Sequence, residues 1–148
     1  MIKETDLEIY MHQNIPLSQA LGIHVDSATP QKVVLTAPFS KNINHKKTVF
    51  GGSLHAVATL ACWSLIYCNL ENLQTFDIVI TSSTVQYLKP ITCDFTVICE
   101  KPEDTKWNRF ISALSQKEKG RIALRATISQ DGKLAVEYEG TFAAIKRS

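Results

Sequence analysis

The stretch that decides the fold runs from residue 44 to residue 70 and reads NHKKTVFGGSLHAVATLACWSLIYCNL. A polar loop ends at Phe50, the pair Gly51-Gly52 follows, and an apolar segment then extends from Leu54 to Leu70. Because this segment is apolar on nearly all sides, we predict a long helix that is buried on most faces. Paired glycines let the backbone approach a ligand closely, and the N–H groups at a helix start favour negative charge. The junction is therefore a candidate corner for binding an oxyanion.

Strands are predicted on both sides of this helix. Short segments rich in β-branched and aromatic residues, separated by turn residues, are typical of strands. These segments are Ile23–Ala28, Lys32–Ala37, Phe76–Leu88, Thr92–Glu100, Asn108–Gln116, Arg121–Gln130 and Lys133–Ile145. The Asp131-Gly132 pair is a hairpin signal, and short turns between consecutive strands imply an antiparallel sheet.

A short helix is predicted near the start of the chain. Thr5-Asp6-Leu7-Glu8 matches a capping box, and Pro16 is expected to end or redirect the helix that begins there. Together the elements predict an α+β fold, in which a curved antiparallel sheet wraps around the long central helix as a single domain over residues 1–148. Such a sheet leaves an edge strand open, and dimerisation through that edge would cover it.

Composition narrows the class of protein. Of the 148 residues, 45% are hydrophobic and 20% are charged, which is typical of a globular domain with a sizeable core. The net charge of +2 is too small to indicate nucleic-acid binding. Met1-Ile2-Lys3-Glu4 leads into polar sequence without a signal-peptide pattern, and the apolar segment is marginal in length for a bilayer span. We therefore expect a cytoplasmic protein without a membrane span.

The cysteines give no indication of a metal site. They are Cys62, Cys68, Cys93 and Cys99, with no C-x-x-C pair and no histidine at zinc-ligand spacing from them. We expect buried, reduced thiols, and we expect neither a metal nor a redox cofactor.

Several motifs occur together in a fixed order. Asn44 lies six residues before Phe50-Gly51-Gly52, and the apolar helix follows. The later motifs are the strand end Val85-Gln86-Tyr87-Leu88-Lys89-Pro90, the turns Gly120-Arg121 and Asp131-Gly132, and the closing Glu139-Gly140-Thr141-Phe142. In this ordered set the chain resembles the hotdog-fold thioesterases over most of its length. The run from Thr48 to Leu54, with Ala61-Cys62-Trp63 behind it, is most similar to thioesterases of the YiiD C-terminal type.

The resemblance implies a dimer or tetramer that hydrolyses acyl thioesters of coenzyme A or acyl carrier protein. In related enzymes a loop Asn and a backbone N–H at the helix start act on the thioester, and these roles fall on Asn44 and Gly51-Gly52. Many relatives carry a His where this chain has Phe50, and an acidic residue where it has Thr59 or Ser82. A Thr cannot act as a carboxylate nucleophile or a strong base, so Thr59 could only place water or substrate by hydrogen bonding.

The candidate site combines the junction, one helix face and one strand face. His55 is the only nearby titratable candidate for the base. Ile80, Ser82 and Thr84 alternate along a predicted strand and share one face, which the resemblance places toward the cavity. The catalytic candidates are Asn44, Gly52, His55, Thr59 and Ser82, and the substrate-binding candidates are Phe50, Gly51, Ser53 and Thr84.

Rival interpretations exist for the residues and for the function. Asn44 could simply brace its loop, the glycines could serve close packing, and His55 could be a structural residue. A non-catalytic module that binds acyl-CoA or an acyl carrier is the second hypothesis, and the missing carboxylates favour it. A hydratase-type hotdog enzyme is the third, but it needs an acid and base pair that the sequence does not show.

Overall fold

The computed structural model describes residues 2–70 and 75–148. The helices are α1 (Glu4–Asn14), α2 (Pro16–Ala20), α3 (Gly51–Asn69) and α4 (Asp104–Lys117), and a short 3-10 turn covers Phe39–Lys41. The strands are β1 (His24–Ala28), β2 (Lys32–Ala37), β3 (Phe76–Tyr87), β4 (Phe95–Glu100), β5 (Lys119–Gln130) and β6 (Lys133–Lys146). The central helix therefore lies where the sequence predicted it, and its first turn includes both glycines.

The strands form an antiparallel sheet in the order β1-β2-β4-β5-β6-β3. Strands β5 and β6 are joined by the predicted turn, in which Asp131 and Gly132 both have positive φ. Strand β3 pairs with β6, so β3 forms one edge of the sheet and β1 forms the other. The predicted α+β class and the hotdog arrangement, a curved antiparallel sheet around a central helix, are confirmed.

Helix α3 supplies much of the core. Val57, Ala58, Ala61 and Leu65 are fully buried, and α3 contacts every strand from β2 to β6. The two small Ala side chains let the sheet approach the helix closely, while the larger ones remove apolar surface from water. By length and composition α3 could cross a membrane, because an 18-residue segment of it has a mean hydropathy of 1.2. However, 61% of that segment is buried inside the fold.

The strand predicted over Asn108–Gln116 is wrong, because this segment belongs to helix α4. Its buried residues, Trp107, Phe110 and Leu114, are spaced three and four apart, which is the helical period, and α4 packs on β5. Glu118 adopts a left-handed conformation with a φ of 61° and donates its N–H to the Leu114 carbonyl, which ends the helix. The turn expected at Gly120-Arg121 consequently lies inside β5, directly after its first residue.

The predicted capping box at Thr5 does not form. Helix α1 begins at Glu4, and its N-cap residue, Lys3, makes no side-chain hydrogen bond. The Glu8 carboxylate instead accepts the N–H of Val25 at 2.7 Å, which ties α1 to strand β1. Glu8 thus bonds to the backbone of β1 instead of capping its own helix. Pro16 redirects the chain as predicted, since it opens α2.

The cysteine prediction holds for three of the four thiols. Cys62, Cys68 and Cys99 are free and buried, whereas Cys93 is free and exposed. Cys93 lies in the loop that precedes β4, where its thiol donates to Gln130 Oε1 at 3.5 Å. A position outside the strand leaves its side chain at the surface.

A β-bulge interrupts the pairing of β3 with β6. The register shifts between Ile80 and Ser82, so that Thr81 is the extra residue. Because side chains alternate between the two faces of a strand, one extra residue reverses the faces of all residues after it. The face toward α3 carries Ile80 before the bulge and Ser83 after it. The prediction that Ile80, Ser82 and Thr84 share one face is therefore wrong.

Candidate active site

At the start of α3, two backbone N–H groups have no hydrogen-bond acceptor among the residues that the structure describes. Gly51 and Gly52 are the first residues of the helix, so their N–H groups have no acceptor within it. The preceding Phe50 carbonyl accepts the N–H groups of Ser53 and Leu54, at 3.0 and 3.3 Å. This bonding orients the first turn and leaves the two glycine amides directed away from the helix, where the helix dipole favours an anion.

Aromatic rings pack on both glycines of the first turn. A Cβ on Gly52 would overlap the ring of Phe50, whose side chain is 57% exposed. A Cβ on Gly51 would lie 3.4 Å from the ring of Tyr87, and the Tyr87 hydroxyl donates to the Gly51 carbonyl at 3.1 Å. Phe50 and Tyr87 therefore flank the free amides as apolar walls.

His55 lies one helical turn after the glycines, on the same face. Its Nε2 atom is 2.8 Å from the Ser83 hydroxyl of β3, within hydrogen-bonding distance. Its ring packs against Tyr138 of β6 in an edge-to-face arrangement, with 5.6 Å between ring centroids. Neither of these two described contacts involves a carboxylate. The imidazole is half-buried and is held between two strands and the helix.

Thr59 and Tyr138 are hydrogen-bonded to each other next to His55 and form a polar cluster with it and Ser83. The Thr59 hydroxyl donates to the His55 carbonyl at 2.9 Å and lies 2.9 Å from the Tyr138 hydroxyl. Since the single hydroxyl proton of Thr59 is donated to the His55 carbonyl, the Tyr138 hydroxyl donates to the Thr59 oxygen. Tyr138 is 1% exposed, and burial raises the pKa of its phenol to about 12, so it stays protonated at neutral pH.

Tyr138 was not identified from the sequence, although Gly140 carries a signal for it. A Cβ on Gly140 would lie 2.5 Å from the Tyr138 hydroxyl, so a glycine is needed to leave room for that side chain. Both residues lie on the helix-facing side of β6, two positions apart. A glycine within a strand often marks such a close approach.

Asn44 closes the loop that precedes α3. Its Oδ1 atom accepts the N–H groups of Lys46 and Thr48, at 2.9 and 3.1 Å, and its Nδ2 donates to the Thr48 hydroxyl at 2.8 Å. Lys47 adopts a positive φ of 60° inside this tight loop. Through these bonds Asn44 braces its loop, which was the rival interpretation of this residue. They use one of the two Nδ2 hydrogens, because an amide nitrogen carries two.

Asn42 is a second loop residue that the sequence did not point out. It is 2% exposed, its Nδ2 donates to the carbonyls of Leu21 and Pro38 at 2.9 and 2.8 Å, and its own carbonyl accepts the Phe50 N–H at 2.7 Å. Asn42 therefore connects the segment before α3 to the body of the protein and positions the helix start. Its burial is a tertiary property that sequence pattern alone does not reveal.

The other candidates are divided between the two sides of the sheet. Ser53 is buried in the first turn of α3, close to the junction. Ser82 and Thr84 are exposed and lie on the outer side of the sheet because of the bulge, with Thr84 in one row with Glu139 and Arg125. The structure thus brings His55, Thr59 and the glycines together and separates Ser82 and Thr84 from them. Ser83 occupies the place expected for Ser82.

This arrangement contains the parts needed for acyl transfer. Free amides at a helix start can stabilise an oxyanion, and an imidazole one turn away can accept a proton. The hydroxyls of Ser83, Thr59 and Tyr138 hold the helix face and the strands in fixed register. The site consequently places candidate oxyanion donors beside a candidate base, His55. Among the described residues, no carboxylate contacts the imidazole.

Comparison with known proteins places the chain in a family. It matches the family described as "Putative thioesterase (yiiD_Cterm)" over residues 4–146. A protein of unknown function from Chlorobaculum tepidum TLS is similar to it, with 30% identity, a TM-score of 0.91, and coverage of 97% of this chain and 94% of that chain. A structure described as the putative thioesterase from Shewanella oneidensis shares 27% identity, with a TM-score of 0.85 and coverage of 96% of each chain.

A more distant structure shares the fold alone. The thioesterase from Haemophilus influenzae is 14% identical, with a TM-score of 0.78, and the match covers 99% of this chain and 92% of that chain. The family match spans nearly the whole chain, and the matched residues 4–146 include the central helix, the six strands and the two glycines at the helix start. The chain therefore belongs to the hotdog-fold thioesterase family of the YiiD C-terminal type.

Proposed function

We propose that this chain hydrolyses acyl thioesters carried by coenzyme A or acyl carrier protein. The observation that carries the proposal is the position of His55, with Nε2 2.8 Å from Ser83 Oγ and one helical turn from the free N–H groups of Gly51 and Gly52. Family membership supports thioesterase chemistry in general. The helix start supplies the anion site and the imidazole supplies the base.

The proposed reaction proceeds by attack of water. With its Nε2–H donated to Ser83, His55 takes a proton at Nδ1 from a water molecule while the water oxygen bonds to the thioester carbonyl carbon. The carbonyl oxygen becomes an oxyanion that the Gly52 N–H stabilises. When the intermediate collapses, the carbon–sulfur bond breaks, the imidazolium returns the proton to the departing thiolate, and the products are a carboxylic acid and a free thiol. Ser83 holds the imidazole, while Thr59 and Tyr138 hold the helix turn that carries it.

A screen of acyl-CoA and acyl carrier protein thioesters, with release of free thiol as the readout, tests the proposal. Turnover above the rate of the uncatalysed reaction supports a hydrolase. The rival function is a binding module for acyl-CoA or an acyl carrier, which the absence of a carboxylate at Thr59 favours. Saturable binding of thioesters without any release of thiol would establish that rival and overturn the hydrolase proposal.

For Asn44 we propose a direct role through its second Nδ2 hydrogen, which would orient the thioester carbonyl or the water. Asn44→Ala should lower turnover about tenfold to a thousandfold, because it removes an orienting group from the reacting atoms. The matched control is Thr48→Val, which removes the hydroxyl that accepts from Asn44 but leaves Asn44 in place. If Thr48→Val lowers turnover as much as Asn44→Ala does, the loop brace accounts for the effect and the direct role fails.

We also propose that the protein is a homodimer, or a tetramer built from dimers. Strand β3 is twelve residues long and, among the described strands, pairs with β6 alone. Two of its large hydrophobic side chains, Val79 and Ile80, are exposed. An unpaired edge of this length is a template for another strand. Light scattering at micromolar concentration should give at least twice the mass of one chain, and Ile80→Lys should lower that mass. A monomeric wild-type protein would contradict the proposal.

A further inference from the structure

The helix face that carries His55 continues beyond the candidate active site. His55, Thr59, Trp63 and Tyr67 follow one another at intervals of four residues, so they form a single ridge along α3. Three of its residues, His55, Thr59 and Trp63, are half-buried, whereas Tyr67 is buried. The ridge is the side of α3 that lies along the edge strand β3.

Strand β3 accompanies this ridge from one end to the other. Tyr87 contacts Gly51 at the helix start, and four residues earlier Ser83 contacts His55. At the far end, Ile78 lines a cavity together with Trp63. The candidate active site and this cavity therefore lie along one seam, the line where β3 runs beside α3.

Three stacked aromatic rings form one wall of the cavity. Tyr67 stacks on Tyr10 of α1 and on Trp63, with centroid distances of 4.8 and 4.9 Å and interplanar angles of 25° and 19°. Tyr10 and Trp63 are nearly parallel, with 7° between their planes. A stack of this kind is a rigid, flat apolar surface, since each ring is fixed by its neighbours.

The cavity itself has a volume of about 400 Å³ and lies between α1, α3 and β3. Its remaining apolar wall consists of Ile15, Phe76, Ile78 and Val79. Polar groups also line it, among them Asp77 and Arg147, which form an ion pair with each other. This volume lies within the usual range for ligand pockets. The arrangement suits an alkyl chain that enters along the seam better than a charged ligand, because the charged lining groups already pair with each other.

We propose that this cavity receives the end of the acyl chain and that Trp63 determines its length. The inference rests on the proposed hydrolase function. Eight residues of helix separate His55 from Trp63, or about 12 Å, and the matching path along β3 from Ser83 to Ile78 is about 16 Å. A zigzag chain with bonds of about 1.5 Å advances about 1.25 Å per carbon, so the seam fits an acyl chain of about ten to thirteen carbons.

Binding of a non-hydrolysable probe tests the cavity independently of turnover. In the Trp107→Phe variant, Trp63 is the remaining tryptophan of the two in the chain, so it reports alone by fluorescence. S-alkyl-CoA thioethers are titrated with chains shorter than, equal to and longer than the fitted length. We expect a change in Trp63 emission only once the chain is long enough to reach the ring. An emission that is independent of chain length across the series overturns the proposal.

Kinetics then tests the role of Trp63 in specificity. Trp63→Ala should move the preferred acyl chain toward longer substrates and raise KM for the fitted length about tenfold or more, because the chain end loses its aromatic wall. Trp107→Phe, on α4 and away from the cavity, should keep the wild-type profile. If no thioester is hydrolysed but Trp63 still responds to chain length, the hydrolase proposal fails and the cavity stands. If hydrolysis occurs with the same chain-length profile in Trp63→Ala and wild type, the cavity proposal fails.

Discussion

Replacing His55 by Ala should lower thioester hydrolysis about a hundredfold to ten-thousandfold, the range that a general base contributes. The imidazole lies one helical turn from the free glycine amides, and its contacts with Ser83 and Tyr138 involve no carboxylate. The measurement is kcat and kcat/KM on the best substrate from the thioester screen. The loss should fall mainly on kcat, because proton transfer belongs to the transition state rather than to substrate binding.

His24→Ala is a matched control for the loss of an imidazole. His24 lies on β1, where it pairs with Glu8 at 2.8 Å. Strand β1 is at the edge of the sheet opposite to β3, which carries Ser83. Its replacement should leave turnover within about twofold of wild type, since surface changes away from a site have small effects. Equal turnover in His55→Ala and wild type, with both proteins folded, would remove His55 from the mechanism.

The neighbouring serines Ser82 and Ser83 give a second, sharper comparison. Ser83→Ala removes the hydroxyl beside His55, whereas Ser82→Ala removes an exposed one on the other face. We expect a clear loss of turnover in the first variant and none in the second, because only Ser83 can hold the imidazole. A loss for Ser82→Ala alone would contradict the register of β3. A loss for Ser83→Ala equal to that of His55→Ala, with an initial burst of thiol in wild type, would indicate Ser83 as a nucleophile.

Replacing Leu65 by Ala should destabilise the protein by about 3–5 kcal/mol, the range for removing a large side chain from a well-packed core. Leu65 lies in the middle of α3 and is 0% exposed. Ala is the best helix former, so the loss would come from the cavity and lost burial rather than from the helix itself. Denaturant unfolding at a fixed protein concentration measures the free energy of unfolding, since association would make the midpoint depend on concentration.

Leu17→Ala is the matched control, because it makes the same chemical change at an exposed site. Leu17 lies on α2 and is 55% exposed, and its replacement should change the free energy of unfolding by less than about 0.5 kcal/mol. A similar free-energy change in the two variants would show that α3 does not carry the core at Leu65.

Local sequence determined the elements with the strongest patterns. The apolar segment after Gly51-Gly52 predicted α3, and the Asp131-Gly132 turn between alternating segments predicted the β5–β6 hairpin. These signals are local, since the helix needs only a continuous apolar run and the turn needs only residues that adopt positive φ. The Asn and Phe-Gly-Gly spacing likewise pointed to the right family.

Local pattern failed where two periods compete. The segment of α4 contains β-branched and aromatic residues within a short polar stretch, and it was predicted as a strand. The buried positions Trp107, Phe110 and Leu114 define the helical period only when burial is known. Packing of α4 on β5 therefore decided this element, because tertiary burial selects the face that a weak pattern leaves open.

Tertiary structure alone decided the inner face of β3 and hence part of the candidate site. The bulge at Thr81 carries no side-chain signature, because it depends on how β3 pairs with β6. One extra residue reverses the alternation and brings Ser83, rather than Ser82, to His55. Tyr138 joins the same cluster from a strand that lies far away in sequence. The sequence by itself thus determined the helix, its glycine start and the family, whereas pairing and packing across the sheet determined which hydroxyls meet the imidazole.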